Sequence, residues 1–336
     1  MKCAWIENMM SIETDGWTRP CCAEPSKQAR IAHINNGIIA AWNDPNLIEL
    51  RENLYTGYSE KTRPFCNRCE ILESANQPSM RTSTKFITED RTLKTIQFKM
   101  SNKCQLTCAH CGPELSTGWK KFLNITPIAS DSFKLTDAFL TELGELLPQI
   151  TCLKFTGGEP FLDPNHWKIL EYLKQFDRSH CTLQYITNGI SPFRSELWGG
   201  WGSINCSVSV DGFEESYEWF RRGAKWSELI NGIANLKKVS NVSVNFALTP
   251  YTIQDYHVSK NFWGDIDTYL IVHPRHASLL NFPAESIKQL DNYQSIPHSD
   301  AASGNDLNFY KNWAEDWDVK WNTVGWSKNL FWWMKQ

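Results

Sequence analysis

The sequence predicts an α/β fold in which six parallel strands, joined by helices, form a partial (β/α)6 TIM-like barrel. The first indication is that strand-like and helix-like apolar patterns alternate from Leu93 to Pro274. The second is the spacing of the strands, because parallel strands need the long connections that the intervening helices supply. The third is that turns with glycine or polar residues follow several strands, at the end of a barrel where functional loops collect.

The predicted elements follow one another in a regular order. The strands are Leu93–Met100, Cys152–Gly158, Cys181–Gly189, Ile204–Gly212, Asn241–Thr249 and Asp267–Pro274. The helices with apolar residues at helical spacing are Leu135–Ile150, His166–Phe176 and Trp226–Val239. Because strand–helix–strand crossovers are right-handed, a barrel or part of one is the simplest topology for this order.

The chain divides into four parts. We predict an N-terminal module over residues 1–75, a linker over 76–92, the barrel over 93–275 and an extension over 276–336. The linker prediction rests on a polar stretch with little periodicity. The extension contains no motif that assigns it a role.

Composition excludes several classes of protein. With 336 residues, 41% of them hydrophobic and 21% charged, the chain is large enough for one α/β domain and a smaller module. A formal net charge of -3 argues against a nucleic-acid partner. The apolar runs are too short to span a bilayer, and the N-terminus lacks the pattern of a signal peptide. We therefore expect a cytoplasmic protein without a membrane partner.

Eleven cysteines suggest metal ligands or buried thiols, because a reducing compartment does not maintain disulfides. Five lie in the first seventy residues: Cys3, Cys21, Cys22, Cys66 and Cys69. Three form a C-x3-C-x2-C array: Cys104, Cys108 and Cys111. The last three, Cys152, Cys181 and Cys206, belong to strands and are predicted to be small buried hydrophobic residues.

The C-x3-C-x2-C array lacks a fourth cysteine at a matching distance. Zinc sites and ferredoxin-type clusters usually have four protein ligands. The triad therefore either takes a fourth ligand from elsewhere in the chain or leaves one coordination position open.

Further motifs follow the later strands. The second strand is followed by "TGGEP", the third by "TNG", and the fourth by "SVDG" and then "FRR". In this order around the cysteine triad, they resemble the radical S-adenosylmethionine (SAM) superfamily, and the resemblance covers Leu93 to Pro274. It implies that Cys104, Cys108 and Cys111 hold a 4Fe-4S cluster whose fourth iron is chelated by SAM. It also implies reductive cleavage of SAM to a 5'-deoxyadenosyl radical.

The resemblance assigns contacts to SAM in the second and third loops. Gly157 and Gly158 would let the backbone approach the methionine, and Glu159 would receive its ammonium group. The Asn188 side chain could line the SAM pocket, although an Asn-Gly pair also commonly forms a turn.

Further contacts to SAM are implied by the first and fourth loops. Ser209 would contact the ribose or the carboxylate end, and either Arg221 or Arg222 would pair with the methionine carboxylate. His110 occupies a position where the family usually has another aromatic residue, and its imidazole could pack beside the adenine.

The N-terminal cysteines raise a second metal question. Cys3, Cys21, Cys66 and Cys69 supply four thiolates, and Asp15-Gly16 predicts a hairpin turn between the first two. A four-thiolate zinc site is one interpretation. The pattern also resembles the SPASM and twitch modules of radical enzymes, which implies a small iron-sulfur module with an auxiliary 4Fe-4S cluster. Residues 70–103 contain no further cysteine, so one auxiliary cluster is favoured over two. Cys22 is an alternative to Cys21.

Three hypotheses for function follow. The first, implied by the resemblance, is a maturase or oxidoreductase that abstracts hydrogen from a peptide or protein side chain and receives electrons from a donor such as flavodoxin or ferredoxin. The second is radical oxidation or rearrangement of a small sugar, cofactor precursor or nucleotide. The third, from another class, is a non-catalytic iron-sulfur or zinc protein; Glu159, Ser209 and the arginine pair argue against it, because such a protein needs no cosubstrate pocket.

Overall fold

The computed structural model describes residues 1–22, 27–85, 90–128, 132–297 and 299–335. Residues 86–89 of the predicted linker, and residues 298 and 336 of the extension, lie outside this description. The strands are β1 Met9–Ile12, β2 Thr18–Arg19, β3 Thr95–Lys99, β4 Thr107–Cys108, β5 Cys152–Thr156, β6 Arg178–Thr187, β7 Trp201–Ser209, β8 Arg221–Arg222, β9 Asn241–Leu248 and β10 Ile266–Leu270. The helices are α1 Ala4–Asn8, α2 Ile38–Trp42, α3 Pro45–Thr56, α4 Arg63–Ser74, α5 Met80–Ser83, α6 Thr117–Phe122, α7 Asp137–Leu146, α8 Pro164–Leu173, α9 Glu215–Phe220, α10 Trp226–Leu236, α11 Tyr256–Trp263, α12 Ala284–Ile287, α13 Leu307–Lys320 and α14 Trp326–Leu330.

In the described part of the chain, eight strands form one sheet in the order β10-β9-β7-β6-β5-β3-β1-β2. All six strands predicted from the sequence are present, and each pairs in parallel with the next one along the chain. This is the strand order of an α/β partial barrel of the TIM type, so the predicted fold class is confirmed. β4 and β8 form a separate antiparallel pair.

The two faces of the barrel strands have different chemistry. On β5, Leu153 and Phe155 are fully buried, whereas Lys154 and Thr156 point to the opposite face and are partly exposed. Phe155 stacks on Phe98 of β3 with ring centroids 5.1 Å apart, and Phe98 in turn meets Phe139 of α7. The apolar face therefore packs under the helices, and the polar face is left to line the interior of the barrel.

The helices that cover the sheet begin at polar caps. The Thr136 side chain accepts a hydrogen bond from Phe139 N at the start of α7, and Asp163 accepts one from Asn165 N at the start of α8. These caps satisfy backbone groups that have no partner within the helix. Within the described residues, no helix is long and apolar enough to cross a membrane.

The N-terminal segment extends the barrel sheet. β1 pairs in parallel with β3, and β2 returns antiparallel to β1. The turn between them contains the predicted Asp15-Gly16 pair, and Gly16 has a φ of +80° that a larger residue would adopt only with strain. The hairpin was predicted from the sequence, but its attachment to the edge of the barrel was not.

The C-terminal extension packs against α9 and the segment that follows it. The buried carboxylate of Asp318 on α13 accepts hydrogen bonds from Trp219 Nε1 at 2.8 Å and from Ser327 N at 2.8 Å. Trp317 Nε1 donates to the Trp219 carbonyl oxygen at 3.2 Å. The extension is thus joined to the barrel by charge-assisted hydrogen bonds as well as by aromatic packing.

Replacing Asp318 by alanine is expected to lower the free energy of unfolding by about 3 kcal/mol, because it leaves two buried N–H donors without an acceptor. Asp316→Ala on the exposed side of the same helix is the matched control and should change stability by less than about 0.5 kcal/mol. Chemical unfolding followed by tryptophan fluorescence would measure both. Equal stability of the two variants would contradict the proposed role of Asp318.

Candidate active site

A cavity of about 590 Å³ lies at the carboxyl ends of the barrel strands. Its wall contains the cysteine triad, the Gly157-Gly158 turn after β5, Asn188 after β6 and Ser209 at the end of β7. Residues of α4 and α5 from the N-terminal part of the chain contribute to the wall as well. The strand-end loops that were predicted to carry function therefore meet around one space.

The three cysteines of the triad lie close together on one side of this cavity. The thiols of Cys108 and Cys111 are hydrogen-bonded to each other, which lowers the pKa of Cys108 and raises that of Cys111. Burial, and then the nearby Cys108, raise the pKa of Cys104 to about 12. In the absence of a counter-charge such thiols stay protonated, whereas metal binding requires thiolates.

Three cysteine thiols face a common cavity, as the predicted three-cysteine ligand set requires. Among the described residues, no group of three or more His, Cys, Asp and Glu side chains is placed to hold one metal ion. In a 4Fe-4S cluster each thiolate binds a different iron, so binding of a cluster would require the hydrogen-bonded thiols of Cys108 and Cys111 to move apart. The buried guanidinium of Arg221 nearby favours the thiolate form of Cys108.

The two glycines after β5 are required by contact with the start of the cysteine loop. A Cβ atom at Gly158 would lie 2.4 Å from the Lys103 carbonyl oxygen, and one at Gly157 would lie 2.9 Å from that of Ser101. Gly158 N donates to the Ser101 carbonyl oxygen at 3.0 Å. The glycines therefore position the cysteine loop as well as lining the cavity, while the predicted contact with methionine stays a prediction.

Glu159 is buried behind the cavity wall and is only 2% exposed. Its carboxylate accepts hydrogen bonds from Thr187 Oγ1 at 2.8 Å, Asn188 N at 2.7 Å and Phe161 N at 3.2 Å. Burial raises the pKa of this carboxyl to about 7, against the opposing effect of the hydrogen bonds. In this arrangement Glu159 joins the second and third loops; its predicted contact with an ammonium group stays a prediction.

The two arginines after α9 face different parts of the molecule. Arg221 lines the cavity, donates from Nη1 to Asp211 Oδ2 at 2.8 Å and has a buried Nε without a partner among the described residues. Arg222 donates from Nη2 to Thr323 Oγ1 at 2.7 Å, and its guanidinium lies 4.5 Å from the ring centroid of Trp326. The structure thus places Arg221 in the cavity and Arg222 against the C-terminal extension.

Asp211 was not singled out from the sequence although it lies within the "SVDG" motif. Its second oxygen accepts a hydrogen bond from Ala247 N at 2.7 Å, and the residue has a φ of +44°. The carboxylate is fully buried and orients Arg221 from behind. The sequence pattern that could have indicated Asp211 is an aspartate at the end of a strand, followed directly by glycine and, ten residues after the aspartate, by an arginine.

His110, Asn188 and Ser209 line the cavity, as their prediction as contact residues requires. The His110 ring stacks on Phe220 with centroids 5.1 Å apart, and its Nδ1 is buried without a partner among the described residues. Burial lowers the pKa of His110 to about 4, so its imidazole is neutral at pH 7. Asn188 Oδ1 also accepts a hydrogen bond from Ile190 N at 3.0 Å, which is the turn-forming role that the sequence left open.

The N-terminal cysteines form two sets, one of Cys3, Cys66 and Cys69 and one of Cys21 and Cys22. Burial, followed by the charges of Cys3 and Cys69, raises the pKa of Cys66 well above its usual value, which places these three thiols close together. Cys69 also lines the cavity. The Cys21 thiol is hydrogen-bonded to Cys22, which lowers the pKa of Cys22 to about 6. Charges on three of the four predicted auxiliary ligands therefore interact, but these thiols are not among any described group placed to hold one metal ion. The choice between Cys21 and Cys22 stays open.

Two side chains donate hydrogen bonds to the backbone of the cysteine loop, and neither contact was predicted from the sequence. His276 Nε2 donates to the Ala109 carbonyl oxygen at 2.8 Å, and the His276 ring stacks on Trp313 with centroids 3.9 Å apart. Trp119 Nε1 donates to the Cys108 carbonyl oxygen at 3.1 Å. Since His276 and Ala109 are 167 residues apart in the chain, no local pattern could indicate this contact.

The two arginines provide a matched test of the cavity. Arg221→Lys is expected to weaken SAM binding roughly ten- to a hundredfold, because lysine cannot keep the ion pair with Asp211 and also present a planar fork to a carboxylate. Arg222→Lys should leave the dissociation constant within about threefold and instead lower stability, because the stacking on Trp326 is lost. Equilibrium binding of SAM to both variants decides the assignment, and a larger effect at Arg222 would reverse it.

Comparison with curated proteins gives relatives of two kinds. The chain is 23% identical to GTP 3',8-cyclase 2 of Mycobacterium bovis over 202 residues, which are 54% of this chain and 53% of the relative. It is 26% identical to GTP 3',8-cyclase of Streptomyces coelicolor over 168 residues, or 48% and 47% of the two chains. It is 30% identical to the antilisterial bacteriocin subtilosin biosynthesis protein AlbA of Bacillus subtilis over 122 residues, or 36% and 24%. The chain spans about half the length of the GTP 3',8-cyclases that it matches.

Two solved structures also resemble the chain. One is native anSMEcpe with bound AdoMet and Kp18Cys peptide, with a TM-score of 0.42 and 15% identity over 69% of this chain and 62% of that chain. The other is Streptococcus suis SuiB, with a TM-score of 0.41 and 14% identity over 81% of this chain and 61% of that chain.

The family model described as "Radical SAM superfamily" matches residues 98–260. The matched region contains the cysteine triad, the Gly157-Gly158 turn, Ser209 and Arg221. The matched residues thus include most of the wall of the cavity described above, and over this region the chain is similar to the radical SAM superfamily.

Proposed function

We propose that this chain is an enzyme that reductively cleaves SAM and uses the resulting 5'-deoxyadenosyl radical to abstract hydrogen from an organic substrate. The observation that carries the proposal is the meeting of three cysteine thiols and Arg221 at one cavity within the matched domain. Cys104, Cys108 and Cys111 would hold the 4Fe-4S cluster, which when bound would transfer one electron to the sulfonium of SAM. The electron would come from an external donor such as flavodoxin or ferredoxin.

The atoms and electrons of this reaction balance. One electron enters, the C5'–S bond of SAM breaks, and methionine and a 5'-deoxyadenosyl radical result. The radical takes a hydrogen atom from the substrate, which gives 5'-deoxyadenosine and a substrate radical. For an oxidised product, the substrate radical would lose one electron to an acceptor such as the proposed auxiliary cluster, together with one proton to a base or solvent. For a rearranged product, the product radical would take one hydrogen atom from a donor.

The protein's own groups would orient SAM and keep water away from it. The unpartnered Nε of Arg221 is available for the methionine carboxylate, while Asp211 fixes the guanidinium plane. Glu159 holds the Thr187–Asn188 loop at a fixed distance from the Gly157-Gly158 turn. On the outer side, His276 and Trp119 hold the backbone of the cysteine loop against movement. Such fixed positions are needed because the radical reacts only with a C–H bond held close to it.

For the substrate, we propose a peptide or protein side chain. The similarity to AlbA, whose name describes bacteriocin biosynthesis, supports this choice. The longer matches to the GTP 3',8-cyclases favour a nucleotide as the second candidate. Incubating reduced, reconstituted protein with SAM and GTP tests the second candidate directly: a new GTP-derived product detected by mass spectrometry would favour it over a peptide.

We further propose that the N-terminal segment holds one auxiliary 4Fe-4S cluster. Cys3, Cys66 and Cys69 would supply three ligands, and Cys21 or Cys22 the fourth. The proximity of the first three thiols supports this proposal, and so does the position of Cys69 in the cavity wall, where an auxiliary centre could accept an electron from the substrate. A four-cysteine zinc site is the competing interpretation.

Replacing Cys104, Cys108 and Cys111 together by alanine should remove one cluster and reduce formation of 5'-deoxyadenosine from SAM to background. Iron analysis and liquid chromatography of the anaerobic reaction measure the two effects. Cys206→Ala is the control, because this buried thiol on β7 belongs to the core; it should retain the wild-type iron content and product. Continued formation of 5'-deoxyadenosine by the triple variant would show that the catalytic assignment is wrong.

The auxiliary cluster makes a separate prediction about iron content. The anaerobically reconstituted protein should bind about eight irons per chain, and the Cys66→Ala/Cys69→Ala variant about four, because each 4Fe-4S cluster contributes four. Electron paramagnetic resonance of the reduced proteins should show one signal fewer in the variant. A wild-type protein with about four irons and one stoichiometric zinc would instead establish the zinc site.

A further inference from the structure

Two consecutive carbonyl groups of the cysteine loop accept hydrogen bonds from side chains that lie behind the cavity wall. His276 Nε2 donates to the Ala109 carbonyl oxygen at 2.8 Å, and Trp119 Nε1 donates to the Cys108 carbonyl oxygen at 3.1 Å. Cys108 lines the cavity, whereas neither His276 nor Trp119 is among the described residues of its wall. The two donors therefore hold the loop from the side that faces away from the cavity.

Both donors pack against one helix of the C-terminal extension, α13. The His276 ring stacks on Trp313 with centroids 3.9 Å apart and planes 10° apart, and Trp119 contacts Trp317 with centroids 5.5 Å apart. Trp313 and Trp317, four residues apart on α13, stack on each other with centroids 5.2 Å apart. One helix thus fixes the positions of both donors.

The backbone N–H groups of the same turn differ in their partners. Ala109 N donates to the Phe220 carbonyl oxygen at 2.7 Å, and Cys111 N donates to the Cys108 carbonyl oxygen at 3.0 Å. His110 N has no acceptor within the residues that the structure describes. Of the three N–H groups that follow Cys108, only that of His110 is therefore available to a ligand.

The direction of this N–H group is set by the bond to His276. The Ala109 carbonyl and the His110 N–H belong to one peptide group, and in a planar trans peptide the two point in opposite directions. Since the carbonyl points to His276, the N–H points away from it. The side opposite to His276 is the one on which the cysteine triad lines the cavity.

We propose that His276 is a positioning residue that directs the His110 N–H toward a sulfur atom of the cluster held by the triad. This proposal rests on the function proposed above and adds to it that α13, acting through His276, sets the reduction potential of that cluster. Hydrogen bonds to the sulfur atoms are one determinant of such potentials. The bond raises the potential, because the reduced cluster carries one more negative charge and gains more from a donor.

The test compares two substitutions of His276 in the full, anaerobically reconstituted chain. His276→Phe keeps an aromatic ring against Trp313 and removes the N–H donor, whereas His276→Gln removes the ring and keeps an N–H donor on a side chain of similar length. Redox titration followed by electron paramagnetic resonance measures the midpoint potential. The signal of the triad cluster is identified by its change when SAM is added.

We expect the midpoint potential of His276→Phe to be more negative than that of the wild type. At a fixed solution potential the ratio of reduced to oxidised cluster should fall about tenfold, which is about 59 mV for a one-electron couple. His276→Gln should restore most of this difference. A wild-type midpoint in His276→Phe would overturn the proposal, and so would an equal shift in both variants, because the lost ring and not the lost donor would then be responsible.

His180→Phe is the matched control. His180 Nε2 contacts the Leu147 carbonyl oxygen at 3.0 Å, which is a bond of the same kind near the amino end of β6, away from the cavity. Its removal should leave the midpoint potential of the triad cluster unchanged. A shift equal to that of His276→Phe would show a general effect of losing such a bond and would overturn the proposal.

A second measurement does not depend on the cluster. In the iron-free protein, hydrogen–deuterium exchange of the peptide that contains Ala109, His110 and Cys111 should be faster in His276→Phe than in the wild type, while exchange in β5 and β6 stays the same. Unchanged exchange in the loop, or faster exchange throughout the chain, would contradict a positioning role. Absence of iron or of a SAM-sensitive signal in the wild type would contradict the proposed function, whereas an unchanged midpoint in His276→Phe would contradict only the role of His276.

Discussion

The close contact between the Gly157-Gly158 turn and the backbone of Ser101–Lys103 holds the cysteine loop against the end of β5. Gly158 N and Glu159 N donate to carbonyl oxygens at the start of the cysteine loop, at 3.0 Å and 2.6 Å. This approach leaves no space for a side chain at Gly158. It holds the end of β5 to the beginning of the triad, and the adjacent Glu159 holds the loop after β6 to the end of β5. Three consecutive strand ends are thereby fixed by backbone hydrogen bonds and one buried carboxylate.

A buried ion pair orients one of the side chains that line the cavity. Asp211 and Arg221 form a pair in which both carboxylate oxygens accept a hydrogen bond, one from Arg221 and one from a backbone N–H, while Arg221 Nε has no partner among the described residues. Such a pair contributes more to orientation than to net stability, since desolvation offsets most of the attraction.

The sequence predicted the six barrel strands because each carries its own local pattern and its own turn. It also predicted which loops would meet, since the carboxyl ends of parallel strands lie on one side of a barrel. It did not predict the pairing of β1 with β3, because more than eighty residues separate them and β1 is only four residues long. The contacts of His276 with Ala109 and of Asp318 with Trp219 were missed for the same reason. The choice between Arg221 and Arg222 depends on the Cys108–Arg221 pairing of β4 with β8, which no spacing in the sequence reveals.

The pairing of β1 with β3 has a consequence for electron transfer. Cys3 lies at the start of α1, directly before β1, and β1 shares a ladder of hydrogen bonds with the strand that leads into the triad. If Cys3, Cys66 and Cys69 hold the auxiliary cluster proposed above, the backbone from Cys3 through α1 and β1 connects that cluster to the strand that leads into the triad. Tunnelling rates fall steeply with distance, so the rate of electron exchange between two such centres would be set by the fold rather than by the motion of a tethered domain.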